Sequence, residues 1–129
     1  GGAYYSEAAV NLMNSLYNGS GDVQTLNVRN GGILDFLPDD ACIETNCRVG
    51  KQGPEPLPVT AVPPAVRGLI AAVKTYERLA IEAAVTGDKE TALLALAHHP
   101  LVPSANDAER LLEEMLQANR AYLPKFFPE

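Results

Sequence analysis

Tryptophan is absent from this chain, and cysteine occurs only at Cys42 and Cys47. Two thiols are too few for the disulfide framework of a small secreted protein, and their odd separation would put them on opposite faces of a continuous strand. They read as reduced packing residues. Histidine is limited to His98 and His99, neighbours that diverge at a helix end and lack the spacing of paired ligands, so a surface or helix-capping role is expected of them and no metal site. No run of Lys or Arg occurs and the formal net charge is −6. That excludes the basic stripe with which a nucleic-acid reader displaces phosphate counterions. No window approaches the roughly 20 apolar residues of a membrane span, and no charged-then-apolar leader precedes the first helical segment. A cytoplasmic protein with neither membrane nor nucleic acid as partner is expected.

What is present is an ordinary globular composition: 129 residues, 47% hydrophobic and 20% charged, enough for one modest core. From about Tyr5 to Tyr17 the apolar residues Ala9, Leu12, Met13 and Leu16 follow helical spacing, with Ser6 as the expected N-cap and Asn18-Gly19-Ser20-Gly21 as the stop. Val23–Asn30 and Ala41–Val49 read as half-buried strands of one sheet. In the second, Ala41, Ile43, Thr45, Cys47 and Val49 share one face. Residues 30–40 between them combine Gly31-Gly32 with apolar anchors, which predicts a structured loop with Ile33 and Leu37 turned inward.

The proline-rich stretch Gly53–Pro64 is expected to run as an extended surface connector between the sheet and a helical half. Pro63 and Pro64 suit a first helical turn, and Val66, Leu69, Ile70, Val73, Tyr76, Ala80 and Ala84 repeat at three and four residues until Gly87. This predicts a long, well-buried helix. Asp88 caps a shorter one through about Ala97, which Pro100 ends, and Ser104 with Asp107 opens a last helix with the core stripe Ala108, Leu111, Leu112, Met115 and Leu116. Tyr122–Glu129 is expected to trail as a tether or contact arm. Glu77, Glu82, Glu109, Glu113 and Glu114 read as solvated helix faces.

The segment GGAYYSEAA (residues 1–9), the loop NVRNGGILDFLPDD (27–40) and the helix AVKTYERLAIEAA (72–84) together resemble the C-terminal part of the family-4 glycoside hydrolases, the NAD- and manganese-dependent 6-phospho-β-glucosidases above all. The resemblance runs from Gly1 to about Phe126. It implies an α+β fold in which a small, mostly antiparallel sheet packs with several helices, as in the C-terminal domains of this family and of lactate and malate dehydrogenases. It also implies that residues 1–129 are a partial C-terminal catalytic and oligomerisation domain whose NAD-binding Rossmann domain lies upstream. The activity implied is hydrolysis of a phosphorylated disaccharide or aryl β-glucoside by oxidation, elimination, addition and reduction. NAD and manganese then replace the usual pair of carboxylates.

Within that resemblance Tyr5, directly before Ser6, matches the tyrosine that removes the proton from sugar C2, with Tyr4 as its neighbour in register. A phenol titrates near about 10, so this role requires an adjacent cation or metal; on the residues alone a Tyr ahead of a helix is a packing or capping group. Asn27 and Arg29, beside the glycine loop, could meet a sugar hydroxyl and the substrate phosphate, an Arg being able to grip phosphate bidentately. A turn Asn and an Arg in a surface ion pair are the plainer alternatives. No glycine-rich strand-turn-helix for a pyrophosphate occurs, and the family's Cys and His ligands for manganese would also lie upstream, so neither NAD nor metal is expected on the isolated chain. Isolated, it should be inactive. The alternatives are an oligomerisation or assembly module without chemistry, a fragment of a 6-phospho-α-glycosidase and, further off, a relative of lactate or malate dehydrogenase. A homo-oligomer is expected.

Overall fold

The computed structural model of the chain describes residues 4–128, so the Gly1–Ala3 part of the GGAYYS segment and the final Glu129 lie outside the described residues. The chain divides into two compact units, Gly1–Ala61 and Val62–Glu129. The class is α+β, with three antiparallel strands and four α-helices among the described residues.

The first unit opens with α1 (Tyr5–Asn18), closed by Gly19 in the left-handed conformation. Its N-cap is Tyr4, without a side-chain cap, so the expectation of a Ser6 cap is corrected: the helix begins before Ser6, whose hydroxyl sits inside the first turn. β1 (Val23–Arg29) and β2 (Cys42–Gly50) pair antiparallel from Val23 opposite Arg48 to Arg29 opposite Cys42. Ile43, Cys47 and Val49 are buried and Thr45 half-buried on one face of β2, with Ala41 buried just before the strand, as the alternation predicts. The two cysteines lie on opposite faces of that strand, Cys47 buried and Cys42 exposed.

Residues 53–56 are not simply a connector. Gly53–Pro56 forms β3, antiparallel to β2 beyond the turn Lys51-Gln52. The amide of Leu57, just past the strand, donates to the Asn46 carbonyl (2.8 Å), so the odd-numbered residues turn their N–H groups to β2. Pro54 and Pro56 fall on the outward positions of an edge strand, where no donor is required.

The second unit contains α2 (Pro64–Thr86), α3 (Lys89–His98) and α4 (Ala105–Ala118), followed by two 3-10 turns, Arg120–Tyr122 and Pro124–Phe126. Asp88 caps α3 by accepting from the amides of Glu90 and Thr91, and Ser104 caps α4 by accepting from the Asp107 amide (3.1 Å). His99 is the C-cap of α3, its ring edge-on to Tyr76 with centroids 4.5 Å apart. The core joins Ala83, Leu116 and Phe126, with Ala92, Leu112, Leu123 and Phe127 packed on it.

Two expectations are corrected here. The tail does not trail: Phe126 is part of that core, the Lys125 ammonium reaches the Val85 carbonyl, and Phe127 lies under the cations of Lys89 and Arg120. Nor is α2 well buried, because Ala83 is its one buried residue while Val66, Leu69, Ile81 and Val85 are exposed. Its apolar residues spread too far round the helix for α3 and the C-terminal turns to cover them all. On α4, Ala108 and Leu116 are buried as expected, whereas Leu111 and Met115 remain exposed.

Candidate functional site

Chemistry-bearing residues of the first unit gather at two places, the groove between α1 and β1 and the loop that joins β1 to β2. In the groove, Ala8, Asn11, Asn14 and Ser15 of α1 face residues 22–26 across a polar cleft of about 570 Å3. The Gln24 amide donates to Ser15 Oγ (2.9 Å) and to Asp22 Oδ2 (2.7 Å). The Ser20 hydroxyl donates to the other Asp22 oxygen. These bonds, from Ser20 first and then Gln24 and Ser15, hold the Asp22 carboxyl at about 2, so it is an anion at any neutral pH.

Tyr5 is the first residue of α1, three before Ala8 and hence on the same side of the helix, and is 79% exposed. Asn27 and Arg29 are exposed and share one face of β1. The Gln24–Ser15 bond puts α1 on the alternate face, that of Gln24, Leu26 and Val28. The structure thus brings Asn27 and Arg29 together and sets the helix of Tyr5 on the opposite face of the strand.

The loop is organised by a residue that the sequence reading passed over. Asn30 is completely buried, and its side-chain NH2 donates to the carbonyls of Leu34 (3.0 Å), Leu37 (3.0 Å) and Pro38 (3.2 Å), while its Oδ1 accepts from the Leu34 amide (2.8 Å). Leu37 is buried beneath the loop, and Ile33 is half-buried. Gly31 and Gly32 both take positive φ, 49° and 88°. The Arg29 Nε donates to the Asp39 carbonyl (3.1 Å). An Asn directly before Gly-Gly, at the end of a strand, was the available signal, since its side chain can bond backbone a few residues on.

Other reactive groups have structural surroundings. Burial pushes the Cys47 thiol up, which leaves it the inert partner of a packed strand. His98 Nδ1 lies 2.8 Å from the Leu94 carbonyl, and His99 Nδ1 accepts from the Leu101 amide. Among the described residues no three His, Cys, Asp or Glu converge to hold a metal ion. No described helix is long and apolar enough to cross a membrane.

Comparison with known proteins places these features in a lineage. Residues 1–102 match the model of the family 4 glycosyl hydrolase C-terminal domain. The chain is 53% identical over 98% of its length to a probable 6-phospho-β-glucosidase of Bacillus subtilis, of which it covers 29%. Among solved structures it resembles the 6-phospho-β-glucosidase of Thermotoga maritima, solved with manganese, NAD+ and glucose 6-phosphate, at 42% identity and a TM-score of 0.84 over 95% of this chain and 30% of that one. A 6-phospho-α-glucosidase from gut microorganisms, in complex with NAD and glucose 6-phosphate, gives 32% identity and a TM-score of 0.85 over 95% of this chain and 28% of its own. The chain thus spans less than a third of the length of the relatives it matches. It belongs to the family 4 glycosyl hydrolases, as their C-terminal domain.

Proposed function

We propose that this chain is the C-terminal part of an NAD- and manganese-dependent 6-phospho-β-glucosidase, acting on a phosphorylated disaccharide or aryl β-glucoside. The observation that carries the β assignment is the identity of 53% to a β-type relative, against 32% to the α-type structure, over nearly the whole chain in both cases. We assign NAD and manganese to the part of the enzyme outside this chain, a reading supported by the relative solved with both, of which the chain covers 30%.

The contributions of this chain are those of its own side chains. Tyr5 takes the proton from sugar C2, a role that requires a cation supplied from outside this chain. Arg29 and Asn27, side by side on the face of β1 away from the helix of Tyr5, meet the sugar phosphate and a hydroxyl of a substrate that passes round the edge strand β1; one N–H of Arg29 is committed to Asp39, and a guanidinium has four more. The exposed apolar residues Val66, Leu69, Ile81 and Val85 of α2 support homo-oligomer contacts, and they also favour the second reading, an assembly module without chemistry.

The test is cleavage of a chromogenic 6-phospho-β-glucoside, with NAD and manganese, by three samples. They are this chain alone, the upstream part of the Bacillus subtilis relative alone, and the two joined. Activity confined to the joined protein supports the proposal; none in any sample supports the assembly reading. In the joined protein, Tyr5→Phe is expected to lower kcat on the order of 10³-fold and to stop exchange of the C2 proton with solvent. Unchanged exchange would remove Tyr5 from the chemistry.

A further inference from the structure

We infer that Asn30 is a positioning residue for the Arg29 guanidinium, holding the 31–40 loop in the one shape that aims Arg29 at a phosphate. The inference rests on the proposal that Arg29 meets the substrate phosphate. A loop of this length between two strands would ordinarily sample many shapes, because closing its ends leaves the interior residues free. Here the interior is pinned at one point: Asn30 Nδ2 is shared among three loop carbonyls, and Oδ1 holds the Leu34 amide.

The bonds run directly to Arg29. Asn30 grips the carbonyls of Leu37 and Pro38, the two residues before Asp39. The Asp39 carbonyl then accepts both the Gly31 amide (3.0 Å) and Arg29 Nε (3.1 Å). The backbone closes the ring, since the Asn30 amide donates to the Ala41 carbonyl (2.7 Å). Arg29 is therefore held by a carbonyl whose own position is fixed by the residue next to it in sequence. A guanidinium with Nε tied presents its terminal NH groups in a fixed direction, which lowers the ordering cost of bidentate phosphate binding. The three carbonyls also set the chemistry at position 30. A side chain there must donate twice and accept once while buried, which an amide does and a carboxylate, hydroxyl or methyl does not.

The experiment uses the joined protein described above and measures two things: the dissociation constant of glucose 6-phosphate by calorimetry, and KM and kcat for the chromogenic 6-phospho-β-glucoside. Asn30→Asp keeps the size and the acceptor but loses the donors. It is expected to weaken glucose 6-phosphate binding about tenfold and to raise KM in proportion, with kcat within about twofold. Asn30→Ser keeps one donor, should give a smaller loss of the same kind, and serves if Asn30→Asp does not fold. Ile43→Val, which thins the buried face of the same sheet, should leave binding unchanged.

Arg29→Ala should weaken binding at least as much as Asn30→Asp, and the double variant should be no worse than Arg29→Ala alone. Additive losses, or normal binding by both Asn30 variants beside weakened binding by Arg29→Ala, would overturn the inference. Normal binding by Arg29→Ala would instead remove the phosphate role of Arg29 itself, and this inference with it.

Discussion

In the sheet unit, order comes from the backbone: β2 is bonded on both sides, and the loop is tied to its neighbours through one buried amide. The helical unit is assembled differently. Asp88 and Ser104 cap its helices, buried alanines let α2, α3 and α4 approach, and Phe126 closes the core from the C-terminal end. The consequences differ as well. The sheet unit packs Ile43, Cys47 and Val49 on one strand face, while Val10, Met13 and Tyr17 of α1 are exposed. The helical unit keeps an apolar cleft of about 200 Å3, lined by residues such as Ala84, Ala95 and Leu112, and leaves much of α2 exposed. The sheet unit carries the candidate chemistry, and both units leave apolar side chains exposed as candidate contact surface.

The largest effect that would break this comparison is expected from the helical core. Phe126→Ala should cost about 4 kcal/mol, because a buried ring is replaced by a void that already adjoins a cleft. Denaturant melts with amide exchange read within 62–128 would show it, and a loss below about 1 kcal/mol would mean that the tail is a contact arm after all. In the sheet unit the matching change is Asn30→Ala, expected to cost about 3 kcal/mol by stranding the Leu34 amide and three carbonyls. Exchange of the Leu34 amide is the local readout. Fast exchange there with the β1–β2 ladder still protected would sharpen the view that the loop is a separately fixed element.

Gly87→Ala comes next, at about 2 kcal/mol. Gly87 holds φ +80°, and a Cβ built on it would stand 2.3 Å from the Lys125 carbonyl, so both the backbone and the tail must yield. The smallest effect is that of acid. The Thr91 hydroxyl, then the Thr91 amide, lowers the Asp88 carboxyl below its ordinary value, and Asp22 is lowered to about 2. A lowered folded value means stability present above the unfolded value and lost as pH falls through the folded one. Both groups are exposed, so the loss is small. For Asp22 it should fall between its ordinary 3.8 and about 2, and Asp22→Asn should remove that part of the pH dependence of melting.

Sequence periodicity made most of this arrangement legible. The inward face of β2 follows the alternation residue by residue, and Gly19 and Gly87 end their helices as glycine should after a helical stripe. What escaped was set by context rather than by composition. Pro54 and Pro56 argued against a strand, yet they alternate, and alternation is what an edge strand tolerates. The two prolines of the tail suggested a loose end, while Phe126 between them had a core to enter. Arg29 and Asn27 were singled out as candidates from their place at a strand end. The face they occupy, opposite α1, depends on the Gln24–Ser15 bond, which no local pattern announces. The signal at Asn30 was incomplete: an Asn before two glycines reads as a turn, and only its burial shows that it holds the loop from within.

The most direct test of the central claim is cleavage of matched 6-phospho-β- and 6-phospho-α-glucosides by this chain joined to the upstream part of its Bacillus subtilis relative, with that upstream part alone as control. The account predicts cleavage of the β-glucoside by the joined protein and not by the control. Equal cleavage by the upstream part alone, or preference of the joined protein for the α-glucoside, would contradict it.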